Sequence, residues 1–227
     1  MSDPVVCILL TTYLRTDYAI KTIQALKQNL QWPQLRWVIS DDGSPVEHVL
    51  ALQAEIGPNY NLDIFNSERK GVGYGMNACL QTIFDTTDLV MIMEDDWVLN
   101  NPLDLQPYVN LLMNHQEYGM IRMGYISPGF TAVLISEEGK LFWRLEQNGV
   151  QYRYSGHPSL RHKRFHEQYG YYDEGLTPGW TELSMDGKVS AVANGPHIVY
   201  PAECGAWGFF GHIGTVSMKD MQPGALL

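Results

Sequence analysis

Three consecutive carboxylates, Glu94-Asp95-Asp96, follow the apolar run Leu89-Val90-Met91-Ile92-Met93. Like charges at the end of a buried strand repel one another, and burial raises that cost. A divalent cation removes it. Oxygen donors suit hard Mn2+ or Mg2+, which keep waters and take further oxygens from a substrate phosphate. The competing reading is a solvated acidic loop. Asp41-Asp42-Gly43-Ser44 ends a second apolar run. A carboxylate there can accept from a base N–H or a ribose hydroxyl, or the four residues can serve as turn and cap. A third stretch, Arg69 to Asn77, sets Arg69 and Lys70 before Gly71, Gly73 and Gly75 at a helix start. Glycines let phosphate approach the backbone, and a helix N-terminus favours anions. The stretch is neither G-x-G-x-x-G nor a Walker loop, and a flexible loop is its plain alternative. The three together suggest a nucleoside diphosphate held with a metal.

These residues need elements to position them. Residues 5–10 and Leu35–Ser40 read as strands apolar on both faces, as does Leu89–Met93; Leu62–Phe65 is a shorter strand. Helices fit Asp17–Asn29 with Thr16 as N-cap, and a segment opened by Ser44-Pro45 with a Glu47 capping box and closed at Gly57-Pro58. A third helix fits Tyr74–Phe84. Alternating strand and helix implies a parallel sheet with helices on both faces, which binds ligands at the strands' carboxyl ends. The second half reads differently. Thr131–Ser136, Leu141–Glu146 and Val150–Ser155 look like antiparallel strands, with turns at Glu138-Gly139 and Asn148-Gly149 and a short helix near Leu160–Tyr169. With no linker or repeat visible, residues 1–227 read as one domain, with 1–100 as a nucleotide-binding half and 101–227 as an acceptor-side half.

Composition bounds the function. The 227 residues are 45% hydrophobic with a formal net charge of -10, so a real core is expected and a protein held mainly by nucleic acid or anionic lipid is not. Three cysteines without a C-x-x-C argue against a disulfide framework or structural zinc. No signal pattern and no membrane-length apolar run are visible, so the expected location is cytoplasmic.

The chain resembles the family-2 nucleotide-sugar glycosyltransferases and their GT-A relatives. The likeness runs through Leu9-Leu10-Thr11-Thr12-Tyr13-Leu14-Arg15, Val38 to Ser44, Gly71 to Ala78 and Met93-Glu94-Asp95-Asp96, where the family carries its D-x-D motif. It continues through Ser155 to Leu160, Tyr169 to Glu174, Val199 to Glu203 and His212. It implies a GT-A (Rossmann-like) α/β fold and transfer of a sugar from a nucleotide diphosphate donor, UDP-sugar favoured, with inversion. Thr11, Tyr13 and Asp41 would hold base and ribose, with Arg15 and Asn77 among the nucleotide-contacting positions. Arg69, Lys70 and Gly71 would lie near the diphosphate. Asp95 would approach ribose or sugar, and Asp96 would be the catalytic metal ligand. Glu94, in the first D-x-D place, and His212 would complete the metal set; an aromatic, Gly-rich turn is the alternative for His212.

Three departures stand out. Glu94 replaces the first Asp. Met76 stands where Arg often precedes Asn77. The expected Glu-Asp base pair falls on Gly179-Trp180, which leaves Glu182 as the nearest general base, or as a helix-surface Glu. Trp180 is a candidate platform for an acceptor sugar. Between residues 140 and 164, six basic side chains (Lys140, Arg144, Arg153, Arg161, Lys163, Arg164) face Glu146 alone. A solvated basic face explains this, or Arg161 and Arg164 receive a phosphate-bearing acceptor, with DNA less favoured than a saccharide or lipid-linked glycan. A sugar-nucleotide nucleotidyltransferase and a non-catalytic nucleotide- or glycan-binding relative are the competing functions. The first would carry a Gly-rich basic loop after the first strand, which Thr11 to Arg15 is not.

Overall fold

The computed structural model describes residues 3–126, 131–146 and 153–214. The elements are β1 (Val6–Thr12), α1 (Thr16–Asn29), β2 (Leu30–Gln31), β3 (Leu35–Asp41), α2 (Val46–Ile56), β4 (Asn61–Asn66), α3 (Val72–Phe84), β5 (Leu89–Glu94), β6 (Trp97–Leu99) and β7 (Leu103–Asp104). There follow α4 (Gln106–Asn114), β8 (Tyr118–Arg122), β9 (Ala132–Glu137), β10 (Lys140–Leu145), β11 (Ser159–His162), α5 (Arg164–Tyr169), α6 (Pro178–Ala191), β12 (His197–Pro201) and β13 (Phe210–His212).

One nine-stranded sheet runs β4-β3-β1-β5-β11-β8-β12-β10-β9. The β4-β3-β1-β5 portion is parallel throughout. β11 enters antiparallel between β5 and β8, β8 and β12 pair in parallel, and β10 is antiparallel to both β12 and β9. Apolar residues on both faces of β1 and β5 require cover on both sides. On one face Ile8, Leu10, Met91 and Met93 pack against α1, α2 and α4. On the other Cys7, Leu9, Val90 and Ile92 pack against α3, α5 and α6.

This period of two sets the site. Continuing it past the apolar run turns Thr12 and Asp95 towards α1, and Thr11 and Glu94 towards α3 and α6.

Several local expectations are corrected. Thr16 is not an N-cap: its hydroxyl lies 2.8 Å from His48 Nδ1. Ser44 does not cap α2, because Pro45 occupies the cap position and the Ser44 hydroxyl donates to Asp41 at 2.5 Å. Residues 159–162 of the expected short helix are strand, since the edge of β5 offers Leu160 a buried slot opposite Met91. Of the expected strand Val150–Ser155, residues 150–152 and the Asn148-Gly149 turn lie outside the described residues, and 153–155 are not strand.

Candidate active site at the ends of two central strands

The α1 side is an ion cluster. Arg15, on the turn between β1 and α1, pairs with Asp95 through one guanidinium nitrogen and with Asp96 through the other at 2.6 Å. Thr12 donates to Asp95 Oδ2 at 2.8 Å, and Thr22 donates to the Asp95 carbonyl at 2.9 Å. Because Thr12 donates to Asp95, it accepts from His48 Nε2–H at 3.1 Å, and His48 Nδ1 takes the Thr16 proton. Desolvation holds the His48 pKa below its usual value, consistent with this neutral imidazole. Burial raises the Asp95 pKa to about 6 against the pull of Arg15 and Thr12. His212, at the end of β13, places Nε2 3.1 Å from Asp96 Oδ2, and its ring packs on Trp97 with centroids 5.0 Å apart. Ile213 N–H donates to the Asp96 carbonyl at 2.8 Å. The second oxygen of Asp96, Oδ1, is buried without a partner among the described residues.

That orphaned oxygen is where the structure fits a hard cation. Asp96 and His212 would supply two ligands, leaving positions for water and phosphate oxygens. The expected three-residue set is corrected: among the described residues no group of three His, Cys, Asp or Glu converges. Glu94 leaves the set because the strand alternation turns it to the opposite face, where its Oε2 accepts from Trp97 Nε1 at 3.3 Å. Arg15, an expected nucleotide contact, has its guanidinium on the acidic pair.

The α3/α6 side is a cavity of about 170 Å³ lined by Thr11, Met76, Glu94, Tyr154, Tyr172 and Glu182, among others. Glu182, on the first turns of α6, accepts from Gly156 N–H at 2.9 Å. Burial, then the charge of Asp96, raises Glu94 to about 7. The structure therefore brings Glu182 to the same cavity as Glu94. Trp180, two residues before Glu182, is 64% exposed. Met76 is part of the cavity wall.

The remaining expected nucleotide contacts divide. Arg69 lies over the Tyr13 ring at 4.1 Å, and Lys70 over the Tyr74 ring at 4.6 Å, both near the start of α3. Gly71, at φ 91°, donates its N–H to Asp42 Oδ1 at 2.9 Å. Asp41 is wholly buried at the end of β3 and accepts from Gly43 N–H, Ser44 N–H, the Ser44 hydroxyl and Asn66 Nδ2 at 2.5–3.1 Å. Asn77 is engaged within the protein. Its amide exchanges hydrogen bonds with the Tyr172 backbone at 2.9 and 3.0 Å and donates to Glu174 at 2.9 Å, which pins the Tyr172 segment to α3.

Among the described residues the six basic side chains of 140–164 form no common face. Arg161 is buried inside the sheet and Arg164 donates to the carbonyls of Leu112 and Tyr118 at 2.7 and 2.8 Å. Arg153 is buried against the Val189 carbonyl at 2.5 Å, while Lys140, Arg144 and Lys163 pair with Glu203, Glu146 and Asp88. Their charges are spent on buried structure and on separate surface pairs, so neither Arg161 nor Arg164 is placed to meet a phosphate-bearing acceptor. His48 was not singled out from sequence, while Thr12 and Tyr172 lay within the stretches Leu9 to Arg15 and Tyr169 to Glu174 without a site role of their own.

With this geometry in place, the fold is of the GT-A glycosyltransferase type. A mannosyltransferase, PcManGT of Pyrobaculum calidifontis in complex with GDP-Man and Mn2+, superposes at TM-score 0.61 with 14% identity, over 88% of this chain and 55% of that one. S. aureus TarS 1-349 in complex with UDP superposes at 0.64 with 16% identity, over 95% and 62%. GalNAc-T7 with UDP, GalNAc and Mn2+ gives 0.62 with 13% identity, over 87% and 42%. The chain thus spans roughly half the length of these proteins. No family model and no curated protein matches the sequence. Among the described residues no helix is long and apolar enough to cross a membrane.

Proposed function

We propose that the chain transfers a sugar from a nucleoside diphosphate sugar, UDP-linked by first preference, to a saccharide hydroxyl, with inversion and with the aid of Mn2+ or Mg2+. The observation that carries this reading is the juxtaposition, within a GT-A fold, of a cation-seeking carboxylate and a carboxylate-lined cavity on the two faces of one strand end. Asp96, through its unpartnered oxygen, and His212 would hold the cation, which when bound neutralises the diphosphate leaving group. Tyr13, Arg69, Lys70 and Gly71 form the approach for base and diphosphate, and Trp180 stands at the cavity side as an aromatic face for a sugar. Glu182 takes the proton from the acceptor hydroxyl as general base. Its backbone anchor at Gly156 fixes one carboxylate oxygen and leaves the other for that proton.

The test is incubation with Mn2+ and a panel of UDP- and GDP-sugars, following donor hydrolysis and thermal shift. A shift with at least one donor, abolished by chelator, is expected. Absence of a shift with every donor would overturn the reading.

A further inference from the structure

Hydrogen-bond accounting on the cavity wall leaves one proton over. Arg161 is wholly buried on the α3/α6 face of β11. It donates to the Ser159 hydroxyl at 2.9 Å, to Tyr172 Oη at 2.6 Å and to Tyr154 Oη at 3.3 Å. The two tyrosine oxygens lie 2.8 Å apart. A guanidinium only donates, so both phenols accept from it. One phenol then gives its proton to the other, and the receiver still holds its own. Among the described residues no acceptor takes that proton, and both rings line the cavity. A buried cation behind two phenols strengthens them as donors in a low dielectric.

The same cavity carries Glu94 and Glu182. A carboxylate accepts where the phenol donates, and a hydroxyl group does both. The cavity, about 170 Å³, is below the ~300 Å³ at which pockets begin to hold drug-sized ligands, a size for one ring. We propose that the Tyr154–Tyr172 pair, backed by Arg161, is a specificity-determining donor that reads one ring hydroxyl of a hexose residue seated in this cavity. The proposal rests on the glycosyltransferase reading. The hexose has two sources, the donor's own sugar and the acceptor saccharide.

The experiment compares wild type with Tyr172→Phe, Tyr154→Phe and Gly179→Leu. Gly179 lines the cavity, and a Cβ there meets no protein atom within 4 Å, so a leucine side chain starts from open space at the cavity wall. Calorimetry in Mn2+ measures UDP, GDP, UDP-glucose and GDP-mannose; saturation-transfer NMR measures methyl glucoside and methyl mannoside on the nucleotide-loaded protein. Circular dichroism verifies folding, and Gly179→Leu carries the test if a tyrosine variant does not fold. The expected result is an unchanged Kd for the bare nucleotide and a roughly fivefold weaker hexose-bearing probe in Tyr172→Phe, the size of one lost hydrogen bond, with a larger loss in Gly179→Leu. Loss confined to the sugar nucleotides assigns the cavity to the donor sugar, and loss confined to the methyl hexosides assigns it to the acceptor. Unchanged hexose affinity in every folded variant, with nucleotide binding intact, overturns the subsite alone. A wild type that binds neither UDP nor GDP overturns the transferase reading instead.

Discussion

The two faces of β5 end in opposite electrostatic conditions. Towards α1, Asp95 and Asp96 are matched by Arg15, Thr12 and His212, with one Asp96 oxygen left over. Towards α3 and α6, Glu94 and Glu182 share a cavity whose cation, Arg161, is withdrawn behind two phenols. The first arrangement prepays the repulsion of adjacent acids and leaves a narrow opening for a cation. The second sets two carboxylates beside open space, Glu182 within the field of Arg122, where they can take protons. Adjacent residues at one strand end thereby supply a charge clamp and a proton acceptor, coupled because the charge of Asp96 helps to raise Glu94.

The contrast can be broken from either side. Asp96→Ala is expected to have the largest effect, a loss on the order of a thousandfold in turnover together with loss of Mn2+-dependent nucleotide binding, because several kcal/mol of charge stabilisation goes with it. Paramagnetic titration of Mn2+ reads the binding directly. Glu182→Gln should lower turnover about a hundredfold while donor affinity stays within about twofold, as expected for a base that does not touch the nucleotide. Equal losses in donor binding would move Glu182 to a binding role. Asn77→Ala should destabilise by roughly 1–3 kcal/mol, seen in the denaturant midpoint, since it leaves the buried Tyr172 backbone unpaired. A weaker nucleotide Kd with an unchanged midpoint would restore Asn77 to the ligand.

The effect that vanishes at neutral pH is a pH dependence behind the tyrosines. Burial, then the charge of Arg161, lowers the His166 pKa to about 3. The unfolded chain takes that proton near the ordinary value of about 6.5. Between those values the unfolded state binds more protons, so stability falls as pH drops through the window, by at most about 1.4 kcal/mol per unit. Above about 6.5 the group contributes no slope. His166→Phe should flatten the acid limb of the denaturation profile.

Much of the first hundred residues was legible. β1, β3 and β5 announce themselves as apolar runs, and the carboxylates follow the last without a break. The partners of those carboxylates were not legible. Arg15 reaches Asp95 and Asp96 across about eighty residues, and His48 reaches Thr12 across thirty-six. Asp41 and Asn77 look the same in sequence whether they face a ligand or a backbone, and only the surrounding N–H and C=O groups decide between these. In the second half α4, β8 and α6 went unanticipated. Strands as short as β11 form because the open edges of β5 and β8 offer hydrogen bonds, not because four residues carry a pattern of their own. The basic segment misled for a related reason. Charge counted along the chain says nothing of direction, and its six cations point to six different places.

The alternation along β5 has a consequence for how this chain can change. A substitution at Glu94 or Asp95 alters the contacts of one face only, while the charges on the two faces stay coupled. A single inserted or deleted residue in Leu89–Met93 would instead exchange them, presenting Glu94 to Arg15 and Asp95 to the cavity. In a lineage of such chains, point changes near this strand would accumulate while length changes within it would be purged.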